Sequence, residues 1–239
     1  MKTPEYCGDQ YNYNRNKKSS LGLSNTDMQG KFVIGNTFNY PSVHGQSVRK
    51  IGNISYSSAS VNAVVNKHIS INQYHLVDLI LGLQKDDNKS SIYKYKSFPA
   101  ALQKILTLYI NKGGRLFVSG AYIGSDQKSR KDIEFTSRVL QYKYIGHTPD
   151  SISGINIKNT DIKAEFENKY NQEVYAIQHP EKILPVGNAK SEIYFSNGSV
   201  AGAISNNNKC YVMTIPFESI KGTQTRDAFM RHILKTLLK

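Results

Sequence analysis

The chain has 239 residues, 39% of them hydrophobic, and its 31 Lys and Arg against 18 Asp and Glu give a formal net charge of +13 at pH 7. That hydrophobic content can fill the core of an α/β domain, which excludes a chain that is disordered throughout, and no apolar run reaches the roughly 20 residues that cross a bilayer. The basic residues are scattered and accompany no helix-turn-helix, zinc-finger or RNP-type pattern. We therefore expect no nucleic-acid partner and no membrane insertion, whereas an acidic polysaccharide suits a diffuse positive field.

The first part of the chain predicts a polar arm followed by strands. Residues 1–30 are rich in Asn, Tyr and Ser and have no regular period, which favours an extended N-terminal arm. The apolar run 32–35 predicts a buried parallel strand, and the polar loop predicted after it holds Asn36 and His44. A further strand is predicted over 53–58.

A strand and a helix with clear boundary signals come next. The apolar run 76–81 predicts a buried strand. Ser97 has the side chain of an N-cap, and Pro99 fits the first turn, where its missing N–H costs nothing. Apolar residues keep helical spacing over 102–110, and the glycine pair that begins at Gly113 predicts the end of this helix.

The stretch 115–126 has the pattern of a buried strand that runs into a glycine-lined turn. In α/β hydrolases and amidotransferases a turn of this kind presents the nucleophile, yet its tip is Ala121, whose methyl group cannot attack a substrate. We therefore expect a structural turn in which Gly120 and Gly124 permit close packing or the close approach of a ligand.

The second half changes character and then returns to the α/β pattern. A helix is predicted over 133–142, and short alternating segments over 150–206 predict an antiparallel β insertion or extension. A strand over 210–215 and a final helix complete the chain. Strands that alternate with helices predict an α/β fold with a mostly parallel sheet sandwiched by helices, and we expect residues 1–239 to form a single domain.

The loops that follow parallel strands meet at one edge of a sheet, where such folds bind their ligands. Six polar residues are expected at that edge: His44, Gln84, Lys85, Tyr122, Asp126 and Glu218. Asp126 and Glu218 are candidates for paired catalytic carboxylates, and Tyr122 or His44 for an acid or base, as in polysaccharide lyases and hydrolases. The candidate ligand-binding residues are Asn36, Gln84, Lys85 and Ser119. The alternative is that several of these residues only cap helices or face water.

Glutamine-hydrolysing chemistry is disfavoured at a second position. His179-Pro180-Glu181 has the wording of the His-Pro-Glu of class I glutamine amidotransferases, but it lies well upstream of the last core strand, and we interpret the match as accidental. Where the topology of those enzymes puts the dyad, the sequence reads Pro216-Phe217-Glu218, and Phe217 cannot accept a proton. A residual hydrolase would have to use Ser119 or Ser125.

Metal and cofactor signals are weak. No two histidines fall at ligand spacing, and the two cysteines, Cys7 and Cys210, are too far apart to suggest a zinc site or a disulfide scaffold. We expect neither a metal nor another cofactor.

Several segments resemble an α/β domain of bacterial exported proteins of the xanthan lyase type, which is related in fold to the flavodoxin-like, class I glutamine amidotransferase-like group. The segments are 30–45, 77–82, 113–126, 216–218 and 226–227. The resemblance implies a periplasmic, cell-surface or secreted location and flanking domains in a longer chain. It predicts a non-amidotransferase member of this fold that binds or processes an acidic polysaccharide, with tyrosine-rich loops stacking on sugar rings. The alternative is a catalytically inactive scaffold or interaction domain.

Overall fold

The computed structural model describes residues 40–52, 54–86, 95–169 and 174–239. The predicted arm 1–30, the predicted strand 32–35, Cys7 and Asn36 lie outside the described residues. The helices are α1 Tyr40–Arg49, α2 Val61–Val65, α3 Ala100–Asn111, α4 Arg130–Glu134 and α5 Thr223–Leu237. The strands are β1 Leu76–Gly82, β2 Arg115–Gly120, β3 Tyr142–His147, β4 Gly154–Ile157, β5 Lys163–Glu165, β6 Glu181–Pro185, β7 Lys190–Phe195, β8 Val200–Ser205 and β9 Cys210–Met213.

Seven of these strands form one mixed sheet in the order β1-β2-β9-β8-β7-β4-β5. The pairings of β2 with β1 and with β9 are parallel, and those that lead from β9 out to β5 are antiparallel. The prediction of an α/β fold is confirmed, but the described sheet is not mostly parallel. The strands predicted over 150–206 as an antiparallel insertion or extension extend the central sheet, because β8 pairs directly along β9. Only β6 leaves this arrangement, and it pairs with β3 in a separate two-stranded sheet.

Helices cover both faces of the central sheet, as predicted. Phe117 in β2 packs with Val48 of α1 and Phe229 of α5 in one hydrophobic cluster. Its neighbour Leu116 points to the opposite face and packs with Leu102 of α3 in a second cluster. None of the helices in the described part of the chain is both long and apolar enough to cross a bilayer.

The predicted strand 76–81 and helix 102–110 are confirmed as β1 and α3. Gly113 has a φ of +89°, and a Cβ on Gly114 would lie 2.4 Å from Cζ of Tyr109, so the chain needs glycine where it leaves α3. The predicted cap is wrong: Pro99 occupies the N-cap position of α3, with no side-chain cap. Ser97 is instead held by Asp126.

The loop predicted around His44 is also wrong, because α1 begins at Tyr40 and contains His44. Its buried face consists of Tyr40, His44, Ser47 and Val48, which keep helical spacing, together with Gly45. The polar members of this face hide the apolar pattern from which a buried helix is predicted.

Two further predicted elements differ from the structure. Residues 54–59 have no regular secondary structure, although a strand was predicted over 53–58. The helix predicted over 133–142 begins at Arg130, continues as a π-helical turn over Phe135–Leu140 and ends at Gln141, whose φ is +61°. Tyr142 therefore already belongs to β3, since a left-handed residue ends a helix.

Candidate functional site

The turn after β2 is built for packing. Ala121 is 1% exposed, and its N–H donates to the carbonyl of Gly82 at 2.8 Å. A Cβ on Gly120 would lie 2.7 Å from Cβ of Leu81, so β1 and β2 need glycine there to approach each other. Ala121 is not among the described non-glycine residues with a positive φ, so the turn has no such backbone strain at its tip. This geometry agrees with a structural turn.

The far side of the same turn holds a buried carboxylate. The N–H groups of Gly124 and Ser125 donate to Glu181, at 2.7 and 3.0 Å, and Glu181 is fully buried at the start of β6. A Cβ on Gly124 would lie 2.8 Å from Cβ of Tyr144 and 2.9 Å from Oε2 of Glu181. Burial raises the pKa of Glu181 to about 7, although the hydrogen bonds from Ser125 and Gly124 oppose the rise.

The histidine of the His-Pro-Glu wording does not join this carboxylate. His179 has a φ of +54°, and its ring pairs with Asp150 at 3.1 Å on the surface. Its carbonyl accepts a hydrogen bond from Nδ1 of His147 at 2.7 Å. The histidine and the glutamate of this short motif thus have different partners, and Glu181 binds the backbone of the turn after β2.

His44 lies between two carboxylates in the interior. Its Nδ1 is 2.7 Å from Oδ2 of Asp78, and its Nε2 is 3.2 Å from Oε2 of Glu218. The hydroxyl of Tyr175 donates to the other oxygen of Glu218 at 2.7 Å. We call these four residues the His44 cluster. The ring of Phe217 packs edge-on against His44 with centroids 4.6 Å apart, and His44 has no exposed surface.

The protonation of His44 follows from this geometry. Burial alone would lower the pKa of its imidazole, but the charge of Asp78 and the hydrogen bonds to Asp78 and Glu218 outweigh that effect and raise the pKa to about 9. At neutral pH the ring is then an imidazolium that donates through both nitrogens. Such a ring has no lone pair with which to accept a proton, so the arrangement does not support His44 as a general base.

The sheet topology brings this cluster together. Asp78 is in β1, and Glu218 is in a short 3-10 turn, Phe217–Ser219, that follows β9. The prediction placed His44 and Glu218 together, and they are in contact. It missed Asp78 and Tyr175. An acidic residue inside an apolar strand was the available signal for Asp78, because burying a carboxylate is costly unless it is paired.

Asp126 holds neighbouring loops together. Its Oδ2 accepts hydrogen bonds from the N–H and the hydroxyl of Ser97 at 2.7 and 2.9 Å, and its Oδ1 accepts one from the N–H of Asp86 at 2.9 Å. Burial raises the pKa of Asp126, and the hydrogen bonds from Ser97 and Asp86 oppose that effect. The hydrogen bonds of Asp126 and Glu218 thus lead to different partners, and a catalytic role for the two as a pair stays a prediction.

Lys85 and Tyr122 meet at the surface. The ammonium of Lys85 lies 4.3 Å from the centroid of the Tyr122 ring, a distance typical of a cation–π contact. Gln84 is buried and donates to the carbonyl of Lys96 at 3.0 Å. Ser119 is fully buried, and its hydroxyl has no hydrogen-bond partner among the described residues.

Three further exposed cations come soon after Tyr122 along the chain. Lys128, Arg130 and Lys131 are exposed and follow the turn after β2 along the chain, while Lys85 follows β1. We call Lys85, Tyr122, Lys128, Arg130 and Lys131 the basic edge. It follows the carboxyl ends of two parallel strands, where open α/β sheets bind ligands.

The described residues contain no group of three or more His, Cys, Asp or Glu side chains that could hold a metal ion. Cys210 is a buried free thiol, and burial raises its pKa to about 12, although a hydrogen bond with Ser205 opposes the rise.

No protein-family model and no curated protein matches the chain. Among solved structures, the chain is similar to a β-galactosidase from the psychrophilic Marinomonas ef1, with a TM-score of 0.52 and 12% identity over 89% of this chain and 27% of that one. The chain therefore spans only about a quarter of the β-galactosidase. At this identity the likeness shows a shared fold alone.

Two other solved structures are similar over most of both chains. One is a protein from Thermoplasma acidophilum described as a GMP synthase subunit, with a TM-score of 0.49 and 10% identity over 84% of this chain and 89% of that one. The other is a ThuA-like protein from Bacteroides uniformis, with a TM-score of 0.46 and 10% identity over 84% and 91%.

Proposed function

We propose that this chain is a binding domain for an acidic polysaccharide at the bacterial envelope, a non-amidotransferase member of the amidotransferase-like fold. The observation that carries the proposal is the basic edge, where the ammonium of Lys85 lies over the ring of Tyr122 and three further cations are exposed. The choice of envelope and ligand class rests on the resemblance to exported proteins of the xanthan lyase type.

The chemistry of the basic edge suits a chain of uronic acids. A pyranose ring can pack against an aromatic side chain, and its carboxylate can pair with an ammonium held beside that ring. Lys128, Arg130 and Lys131 would pair with the carboxylates of the following sugars. The net charge of +13 would attract such a polyanion from a distance, in a way that salt screens.

Binding is favoured over turnover by the state of the reactive groups. Ala121 occupies the tip of the turn, and the amides of Gly124 and Ser125 hold Glu181, so they are not available to stabilise an oxyanion. His44 gives both ring nitrogens to carboxylates. These contacts support a domain that binds its ligand without hydrolysing glutamine.

The test is titration calorimetry with polygalacturonate, and with neutral dextran as the control ligand, at low and high salt. We expect polygalacturonate to bind at low salt, to weaken steeply with added salt, and dextran not to bind. Lys85→Ala should weaken binding up to about fivefold, the effect of about 1 kcal/mol for an exposed charge contact.

The matched control is Lys112→Ala, which removes one exposed lysine at the C-terminal end of α3, outside the basic edge. It should reduce the affinity much less than Lys85→Ala does. Equal effects of the two substitutions would mean that only net charge matters and that the basic edge is not a site. If unsaturated uronate products formed in the same mixtures, the domain would be a lyase and not only a binding domain.

A further inference from the structure

A cavity lies beside the first half of β1, away from the basic edge. There the described residues surround a cavity of about 520 Å³, a size typical of small-molecule sites. Its apolar walls come from α1, α2, α5, the central sheet and the segment before β1. Six of the wall residues are Val48, Val64, Ile71, Phe117, Met230 and Leu234.

One part of this wall is polar. Asp78 lines the cavity with the carboxyl group that also binds His44. Beside it is Tyr56, whose hydroxyl is buried and has no hydrogen-bond partner among the described residues. Burial, with the charges of Asp78 and Glu218, raises the pKa of Tyr56, so its hydroxyl stays neutral and can both donate and accept a hydrogen bond.

The position of Tyr56 depends on the helix beneath it. A Cβ on Gly45 would lie 2.8 Å from Cε1 of Tyr56, so this ring packs directly against the backbone of α1. The exposed residues Ser55, Ser57 and Ser58 also line the cavity, which gives it a polar mouth toward solvent.

We propose that this cavity binds a largely apolar molecule that carries one neutral hydroxyl group. The hydroxyl of the ligand donates to Asp78 and accepts from Tyr56, so it gives the buried tyrosine hydroxyl its missing partner. An anionic head group would be repelled by Asp78. A cationic head group would lie close to the His44 imidazolium, which pairs with Asp78 at 2.7 Å and would repel it.

Methyl NMR on the full chain labelled with ¹³C-methyl methionine tests the proposal, with 1-octanol as the probe. Met230 lines the cavity, whereas Met213 is fully buried in β9 and is not among the lining residues. We expect 1-octanol to shift the Met230 methyl signal in a saturable manner and to leave the Met213 signal unchanged. Octanoate and octylammonium should shift Met230 much less.

Two tyrosine variants separate hydrogen bonding from general effects. Tyr56→Phe keeps the ring and removes the hydroxyl, and it should weaken 1-octanol binding about fivefold to tenfold, the usual value of one hydrogen bond. Tyr211→Phe is the matched control, because its hydroxyl is also buried without a partner among the described residues but does not line the cavity. It should leave the affinity unchanged.

A third variant, Ala59→Phe, places a bulky ring on the cavity wall and should abolish the Met230 response while the Met213 signal stays in its native position. The proposal is overturned if the Met230 methyl signal does not shift up to the solubility limit of 1-octanol. It is equally overturned if octanoate or octylammonium binds as tightly as 1-octanol does. It is also overturned if Tyr56→Phe binds 1-octanol as tightly as the unaltered chain does.

Discussion

Replacing His44 with Phe should be the most damaging single change in the His44 cluster. Phenylalanine fills a similar space beside Phe117 and Phe217, but it offers no N–H to Asp78 or Glu218. Two buried carboxylates would lose their shared cation. Breaking a buried ion pair by removing one partner costs about 3–5 kcal/mol, so we expect the free energy of unfolding at pH 6.5 to fall by about that amount.

The unaltered chain should show the same interaction in its pH dependence. The pKa of His44 is raised from 6.5 to about 9 on folding, which corresponds to about 3 kcal/mol at about 1.4 kcal/mol for each tenfold change. The folded state then binds the proton more tightly than the unfolded state does. This stabilisation is fully present below pH 6.5 and is lost as the pH rises through about 9.

Urea unfolding at intervals between pH 6 and 9 measures both effects. In His44→Phe the fall in stability over this range should be much smaller than in the unaltered chain. His232→Phe is the matched control, because His232 pairs with a single carboxylate, Glu192, near the surface, and its loss should cost less than 1 kcal/mol. In the unaltered chain, NMR should show one of the six histidines titrating near pH 9. The reasoning is refuted if stability is flat across this range, or if the two variants lose equal amounts.

Three further predictions concern the turn after β2 and the contact of α1 with α5. Because the pKa of Glu181 is raised to about 7, the free energy of unfolding of the unaltered chain should fall by about 3 kcal/mol between pH 4.5 and 7. In Glu181→Gln this fall should be largely absent, and urea unfolding at several pH values measures it. Gly124→Ala should cost about 1–3 kcal/mol through overpacking, because its Cβ would lie 2.8 Å from Tyr144; a thermal melt with no shift would contradict this. Asp227→Ala should cost about 1–3 kcal/mol, because Asp227 accepts hydrogen bonds from Ser47 and Lys50; a double-mutant cycle with Ser47→Ala should show that the two losses do not add.

The elements that could be predicted are those with a complete local signal. β1, β2, α3 and α5 each combine an apolar pattern of one period with glycine or polar residues at the ends, and all four are confirmed. The antiparallel strands of 150–206 also have a local pattern, but alternation does not say which strand they pair with. The pairing of β8 along β9 depends on the whole sheet, so the sequence leaves open whether these strands form an insertion or extend the central sheet.

The candidate site was predicted only in part, because its contacts also depend on the whole sheet and not on local sequence. Topology alone brought His44 and Glu218 to one place, although His44 lies in a helix that was predicted as a loop. Asp126 was predicted to share their chemistry, yet its oxygens bind Ser97 and Asp86. Polar residues in loops that follow neighbouring strands can face one another across a site, or they can form hydrogen bonds that hold the loops in place. Sequence spacing does not distinguish these two arrangements.

The pH dependence of the buried ionisable groups is relevant to the acidic polysaccharide proposed as the ligand. Glu181 and His44 both have raised pKa values, so both stabilise the fold most in mild acid and lose that contribution as the pH rises. Asp132 acts in the opposite direction, because hydrogen bonds from Lys96, Ser129 and Gln103 outweigh its burial and lower its pKa to about 2. Its contribution to the stability of the fold is lost only as the pH falls from 3.8 toward 2. Uronate carboxylates, with ordinary carboxyl pKa values of about 4, are ionised above that range. Near pH 4.5 the contributions of His44, Glu181 and Asp132 are thus all present, while most carboxylates of the proposed polysaccharide ligand still have their negative charge.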